Sequence, residues 1–136
     1  MKYTIKENQL NYETYYTLRK SVGWNNWSKE QAEKALENSY YSIVIFYNDN
    51  AIGMGRVVGD GIYFIIVDVV VRPEYQGKGI GRILIDELRR FINNNGVKGT
   101  DIFVELCAVP DKIPFYEKFG FEANEAQRLK IFHHVE

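Results

Sequence analysis

Cysteine is nearly absent: Cys107 is the only one in 136 residues, so no intrachain disulfide can form and nothing argues for an oxidising compartment. The only histidines, His133 and His134, are adjacent near the C-terminus, which leaves too few ligands for a zinc or iron–sulfur site; no metal is expected. No apolar run is long enough to span a bilayer. The first residues, Met1-Lys2-Tyr3-Thr4-Ile5-Lys6-Glu7, lack the apolar core of a signal peptide. An excess of either charge is missing too: 17 Lys and Arg against 18 Asp and Glu give a net charge of -1, and hence no global field for nucleic acid or an anionic membrane. These absences predict a soluble, cytoplasmic protein with neither kind of partner.

What is abundant is apolar and aromatic. At 46% hydrophobic residues, with 10 Tyr and 8 Phe, the chain can bury a core without staples, and residues 1–136 read as one domain. Residues 3–7 alternate as a short strand, 12–22 form a helix ending near Gly23, and Ser28 with Gln31 opens a second helix to about residue 37. Strands follow at 41–47 and 51–58 around the turn Asn48-Asp49-Asn50, and Gly59-Asp60-Gly61 turns into a β-branched and aromatic run over 63–71. A hairpin meander thus feeds a strand–helix–strand crossover, and the sheet should be mixed. Residues 102–106 read as a strand, and 128–134 as a last strand returning beside it.

The run at 63–71 enters Arg72-Pro73-Glu74-Tyr75-Gln76-Gly77-Lys78-Gly79-Ile80-Gly81-Arg82, and Ile80, Ile83, Leu84, Leu88 and Phe91 then recur at helical spacing. A glycine-rich turn at a helix N-terminus presents unpaired amides to an anion. A nucleotide P-loop is excluded because Gly79, not Ser or Thr, follows Lys78. A dinucleotide fingerprint fails because Arg82 stands where the third glycine belongs. What fits is Gln76-Gly77-Lys78-Gly79-Ile80-Gly81, which resembles the Q/R-x-x-G-x-G/A signature of the GNAT superfamily of acyl-CoA N-acyltransferases. Asp68-Val69-Val70-Val71 resembles that family's D-L-x-V strand end, and Phe115-Tyr116-Glu117-Lys118-Phe119-Gly120-Phe121 its F-Y-x-x-x-G-F helix. The three stand in the family's order, and the resemblance covers roughly residues 41–121.

The resemblance implies an α/β fold with a mixed, mostly antiparallel sheet of about six to seven strands and about four helices. It also implies acetyl-CoA as cofactor and a primary amine of a small molecule or peptide as acceptor. By resemblance, the turn from Gln76 through Gly77, Lys78, Gly79, Ile80 and Gly81 to Arg82 holds the pyrophosphate. The backbone of Val69 and Val71 pairs with the pantetheine arm, and Tyr116 protonates the departing thiolate; as plain packing, Tyr116 would fill core instead. Asp68 and Glu105 are lone charges in apolar strands and candidate bases; Asp68 could equally accept hydrogen bonds that hold a strand bulge or orient the substrate amine, and both divide between structural and substrate-facing roles. Cys107 reads as a small buried hydrophobe rather than an acyl-carrying nucleophile. Trp24 and Trp27, with Tyr63, form either an aromatic wall for the acceptor or a lid on the core. Asp60 either pairs with a substrate ammonium or favours its own turn. Val109 replaces an asparagine that many members carry seven residues before the tyrosine. An acetyltransferase and a catalytically weak acyl-CoA-binding or sensing module both accommodate these features, and exposed strand edges leave room for a homodimer.

Overall fold

The computed structural model describes residues 2–123 and 129–136. The elements run β1 (Thr4–Glu7), α1 (Tyr12–Ser21), α2 (Lys29–Glu37), β2 (Tyr41–Tyr47), β3 (Asn50–Gly59), β4 (Tyr63–Val71), α3 (Ile80–Asn94), β5 (Phe103–Leu106) and α4 (Ile113–Glu117). Among the described residues the sheet has five strands in the order of the sequence; the neighbours are antiparallel from β1 to β4, and β4 pairs with β5 in parallel.

The sheet is therefore mixed and mostly antiparallel, with fewer strands than the six to seven expected. The difference lies at the C-terminus, where 129–136 carry no strand; residue 128 lies outside the described residues. Leu129, Ile131, Phe132 and Val135 are all exposed, so although three of them alternate as a strand would, the segment buries no apolar face against the sheet.

Both faces of the sheet are covered. In β2, Ile43 and Ile45 face α3 while Val44 faces α1, so the period of two serves two cores at once. Helix α3 buries Ile80, Leu84, Leu88 and Ile92, one stripe at four-residue spacing, against the first core. Helices α1 and α2 cover the opposite face with Tyr15, Leu18 and Ala32.

Strand β4 changes face midway. Phe64 and Ile66 belong to the α3 core, yet Val70, also even-numbered, belongs to the α1 core. The register explains this: Met54 opposes Val70 and Arg56 opposes Val67, so two β4 residues stand against Gly55 alone. One of them, Asp68, has φ 54° in the left-handed region. A β-bulge at Asp68 thus inverts every later side chain of the strand, as a one-residue slip must.

Candidate active site

The site arises because β5 is shorter than β4. Pairing covers Tyr63 to Ile66 only, and beyond it the chains diverge around a cleft of about 590 Å³. Val69, Val71, the turn at 76–82 apart from Lys78, Cys107 and Tyr116 line it.

Backbone direction on the β4 wall follows from one hydrogen bond. The Arg72 amide donates to the Ile52 carbonyl at 2.8 Å, toward β3, so strand alternation turns the N–H groups of Val71 and Val69 away from β3 and toward the divergent side. The Gln76 Nε2 donates to the Val71 carbonyl at 2.9 Å, satisfying that oxygen and tying the turn to the strand end.

The turn offers amides without competition from side chains. Helix α1 is capped by Asn11, whose Oδ1 accepts from the Thr14 amide at 2.9 Å, and α2 by Ser28 on the Gln31 amide at 3.2 Å; α3 begins at Gly79 with no side-chain cap. Gly77 and Gly79 have φ of 75° and 86°, and a Cβ built on either meets nothing within 4 Å. Left-handed backbone and open space beside uncapped amides fit a bulky anion such as a pyrophosphate. Arg82 lines the cleft, whereas the Lys78 ammonium lies over the Tyr75 ring at 5.7 Å.

Tyr116 stands on α4 opposite this wall. The helix is only five residues long and is held from outside: the Arg89 Nη1 donates to the Phe119 carbonyl at 2.9 Å, and Arg82 lies 5.5 Å from the Phe119 ring centre. The Tyr116 ring packs edge-on to Phe115 and Phe121. Burial pushes its phenol above the usual tyrosine range, and among the described residues no group accepts its proton. The group is a neutral donor facing the cleft.

Asp68 is the most heavily engaged side chain of the site, and its side chain is 8% exposed. Its Oδ1 accepts from the Arg19 Nη1 at 2.6 Å, and its Oδ2 from the Arg56 Nε at 2.8 Å and the Tyr15 hydroxyl at 3.0 Å. These donors hold a residue whose left-handed backbone costs an L-residue about 1–2 kcal/mol. Burial, and then the Asp68 carboxylate, raises the Tyr15 phenol.

The structure separates several expected partners from this cleft. Glu105 faces a second groove with Arg89 and Phe121, beyond β5. Asp60 accepts from the Ile62 and Tyr63 amides at 2.9 and 3.0 Å, which lowers its carboxyl and fixes the β3–β4 turn. Tyr63 is exposed at the far end of β4, against Phe103, so it joins no wall with the tryptophans. Trp24 lines the cleft and Trp27 does not. Cys107 is exposed rather than buried, because β5 ends at Leu106 and the chain leaves the sheet there. Sequence reasoning missed Arg19, Arg56 and Tyr15. Arg56, a lone charge within Gly53-Met54-Gly55-Arg56-Val57-Val58, carried the signal that something opposite needed a cation.

A glycine-turned helix start facing a tyrosine across splayed strands is the arrangement that the resemblance implied, and comparison with known proteins shows the family. Residues 38–123 match the family described as Acetyltransferase (GNAT) domain. The chain belongs to this family of acetyltransferases. It is 30% identical over 124 residues to an uncharacterized N-acetyltransferase, ycf52, of Pyropia yezoensis, covering 88% of this chain and 69% of that one. It is 32% identical over 108 residues to the chloroplastic serotonin N-acetyltransferase 2 of Oryza sativa, covering 74% of this chain and 50% of that protein. A crystal structure of a protein of unknown function and probable acetyltransferase from Staphylococcus aureus superposes with a TM-score of 0.86 at 31% identity, covering 98% of this chain and 100% of that one. Among the described residues no helix is long and apolar enough to cross a membrane.

Proposed function

We propose that the protein is a cytoplasmic N-acetyltransferase that moves the acetyl group of acetyl-CoA directly to a primary amine carrying an aromatic group. The observation that carries this reading is the meeting, in one cleft, of the uncapped turn at 76–82, the β4 backbone at Val69 and Val71, and Tyr116.

Acetyl-CoA supplies the activated acyl thioester. The turn and Arg82 bind its phosphates, and the outward amides of Val69 and Val71 orient the arm and polarise the carbonyl as charge develops on its oxygen. Tyr116, kept protonated by burial, donates its proton to the departing sulfur. Asp68 acts as a positioning residue: three donors occupy its oxygens, and taking up a proton would disrupt bonds that hold the bulge. The amine proton then leaves through water.

The acceptor class follows from charge and lining. Asp68 is the only carboxylate lining the cleft among the described residues, and two guanidiniums already neutralise it, which disfavours a polycation. Trp24 offers a ring face for an aryl or alkyl amine. The rice relative, a serotonin N-acetyltransferase by name, points to the same chemistry. The chain spans only about half of that relative's length, and between 58% and 69% of two algal and cyanobacterial ones.

Thiol release from acetyl-CoA across arylalkylamines, polyamines, aminoglycosides, amino acids and peptides, with Tyr116→Phe run alongside, tests the reading. Turnover on arylalkylamines that collapses in the variant supports it. Tight acetyl-CoA binding with no acceptor-dependent release overturns it in favour of a sensing module.

A further inference from the structure

Arg19 joins two parts of the molecule that the family signatures do not link. Its Nη1 donates to Asp68 at the β4 bulge, while its Nε and Nη2 donate to the Asn25 carbonyl at 3.2 and 2.5 Å. Its guanidinium carbon lies 5.2 Å from the Trp24 ring centre and 5.6 Å from that of Tyr15. One planar group with 12% of its side chain exposed therefore touches the loop between α1 and α2, the α1 core and the carboxylate that fixes the left-handed residue of β4.

The two parts do different work under the proposed function, on which the following rests. The bulge sets the direction of the Val69 and Val71 amides, and Trp24 lines the acceptor end of the same cleft. We infer that Arg19 is a positioning residue that clamps the 22–27 loop to the β4 bulge, so that the acceptor's aromatic wall and the amides that polarise the thioester move as one unit. Nearby groups fit this assignment. Arg56 holds the other carboxylate oxygen and is itself tied to Ser39 at 3.0 Å, so Asp68 keeps a counter-ion when Arg19 is altered. No second side chain bonds both Asp68 and the loop among the described residues.

The test compares wild type, Arg19→Lys and Arg19→Gln. Lysine keeps the charge beside Asp68 but replaces the planar fork with a point donor that cannot lie flat on Trp24. Amide hydrogen exchange in the unliganded protein should rise roughly tenfold in both 22–27 and 67–71, with the β2–β3 hairpin unchanged. In turnover, acceptor KM should rise about tenfold and kcat should fall, while acetyl-CoA affinity, shared between the loosened Val69 and Val71 amides and the glycine turn, should fall by less than acceptor affinity does. The clamp is overturned if the loop loosens without the bulge, if neither changes, or if exchange rises everywhere and acetyl-CoA affinity collapses together with Tm. If wild type turns over no amine, the functional reading fails, and the exchange comparison still decides the clamp.

Discussion

Tyr116 and Asp68 show how two ionisable side chains of one site take opposite hydrogen-bonding states from what surrounds them. Tyr116 has aromatic neighbours and no acceptor among the described residues, so it keeps its proton for use. Replacing it with Phe preserves the ring packing; kcat should fall by about 100-fold, the usual scale of a general acid, with Tm shifted by less than about 2 °C. The pH dependence follows from the same burial. A phenol raised above 10.0 stays protonated through that value, so the kcat profile should show no alkaline limb below pH 10.0 that disappears in Tyr116→Phe. Asp68 has the reverse surroundings. Asn at this position would leave the Arg19 and Arg56 guanidiniums buried without an anion between them, at a cost of about 3 kcal/mol in a denaturant melt. Tyr41 adds an alkaline limit on stability. Burial and the Glu7 carboxylate at 2.7 Å raise its phenol far above the unfolded value of 10.0, so its contribution is complete below pH 10.0 and disappears only as pH climbs through the folded value.

Among the elements, α3 and its turn bear most directly on cofactor binding. Gly79→Ala forces an L-residue into φ 86°, a strain of about 1–2 kcal/mol with no steric clash, so acetyl-CoA affinity measured by calorimetry should drop by about tenfold. Gly81→Ala acts elsewhere: its Cβ would sit 3.1 Å from the Phe115 Cζ, and the displacement passes to the adjoining Tyr116. That variant should lower kcat more than it raises acetyl-CoA KM. The legibility of these elements in the sequence differed for physical reasons. Helix α3 could be read because its apolar residues return every fourth position, and β2 to β4 because turn residues punctuate β-branched runs. The bulge was legible only through Asp68, the lone charge in the run; in a strand covered on both faces the other positions are apolar, so the change of face itself leaves no further mark. The positions of Trp24 and of Asp60 in its own turn could be anticipated, but that of Tyr63 could not, because distance along β4 is invisible in composition. The segment at 128–134 looked like a strand because apolar residues are frequent there.

At the scale of the whole molecule, the cleft is a gap in an otherwise continuous sheet, and filling it should stabilise the fold. Acetyl-CoA at 100 times its Kd should add about 2.7 kcal/mol, which for a domain of this size corresponds to roughly 8–12 °C in Tm by scanning calorimetry. Acetate or coenzyme-free amine at the same concentration should give no such rise. The gap also divides the described chain into two supports. Strands β1 to β4 with α1 and α2 form one wall, and α3, β5 and α4 cross over to build the other.

The bulge also has a history in time. The β2–β3 and β3–β4 hairpins close over short turns, but the bonds that Tyr15 and Arg19 make to Asp68 join residues 53 and 49 apart in sequence. Loop closure over that span is slow compared with hairpin zipping. A refolding chain should therefore pair its strands before residue 68 is locked at φ 54°, with the strand beyond it still sampling the other face. Secondary structure would be regained before the ability to hold a coenzyme, and the interval between the two, visible as a lag between circular dichroism and ligand capture, would measure how long the first helix takes to find the fourth strand.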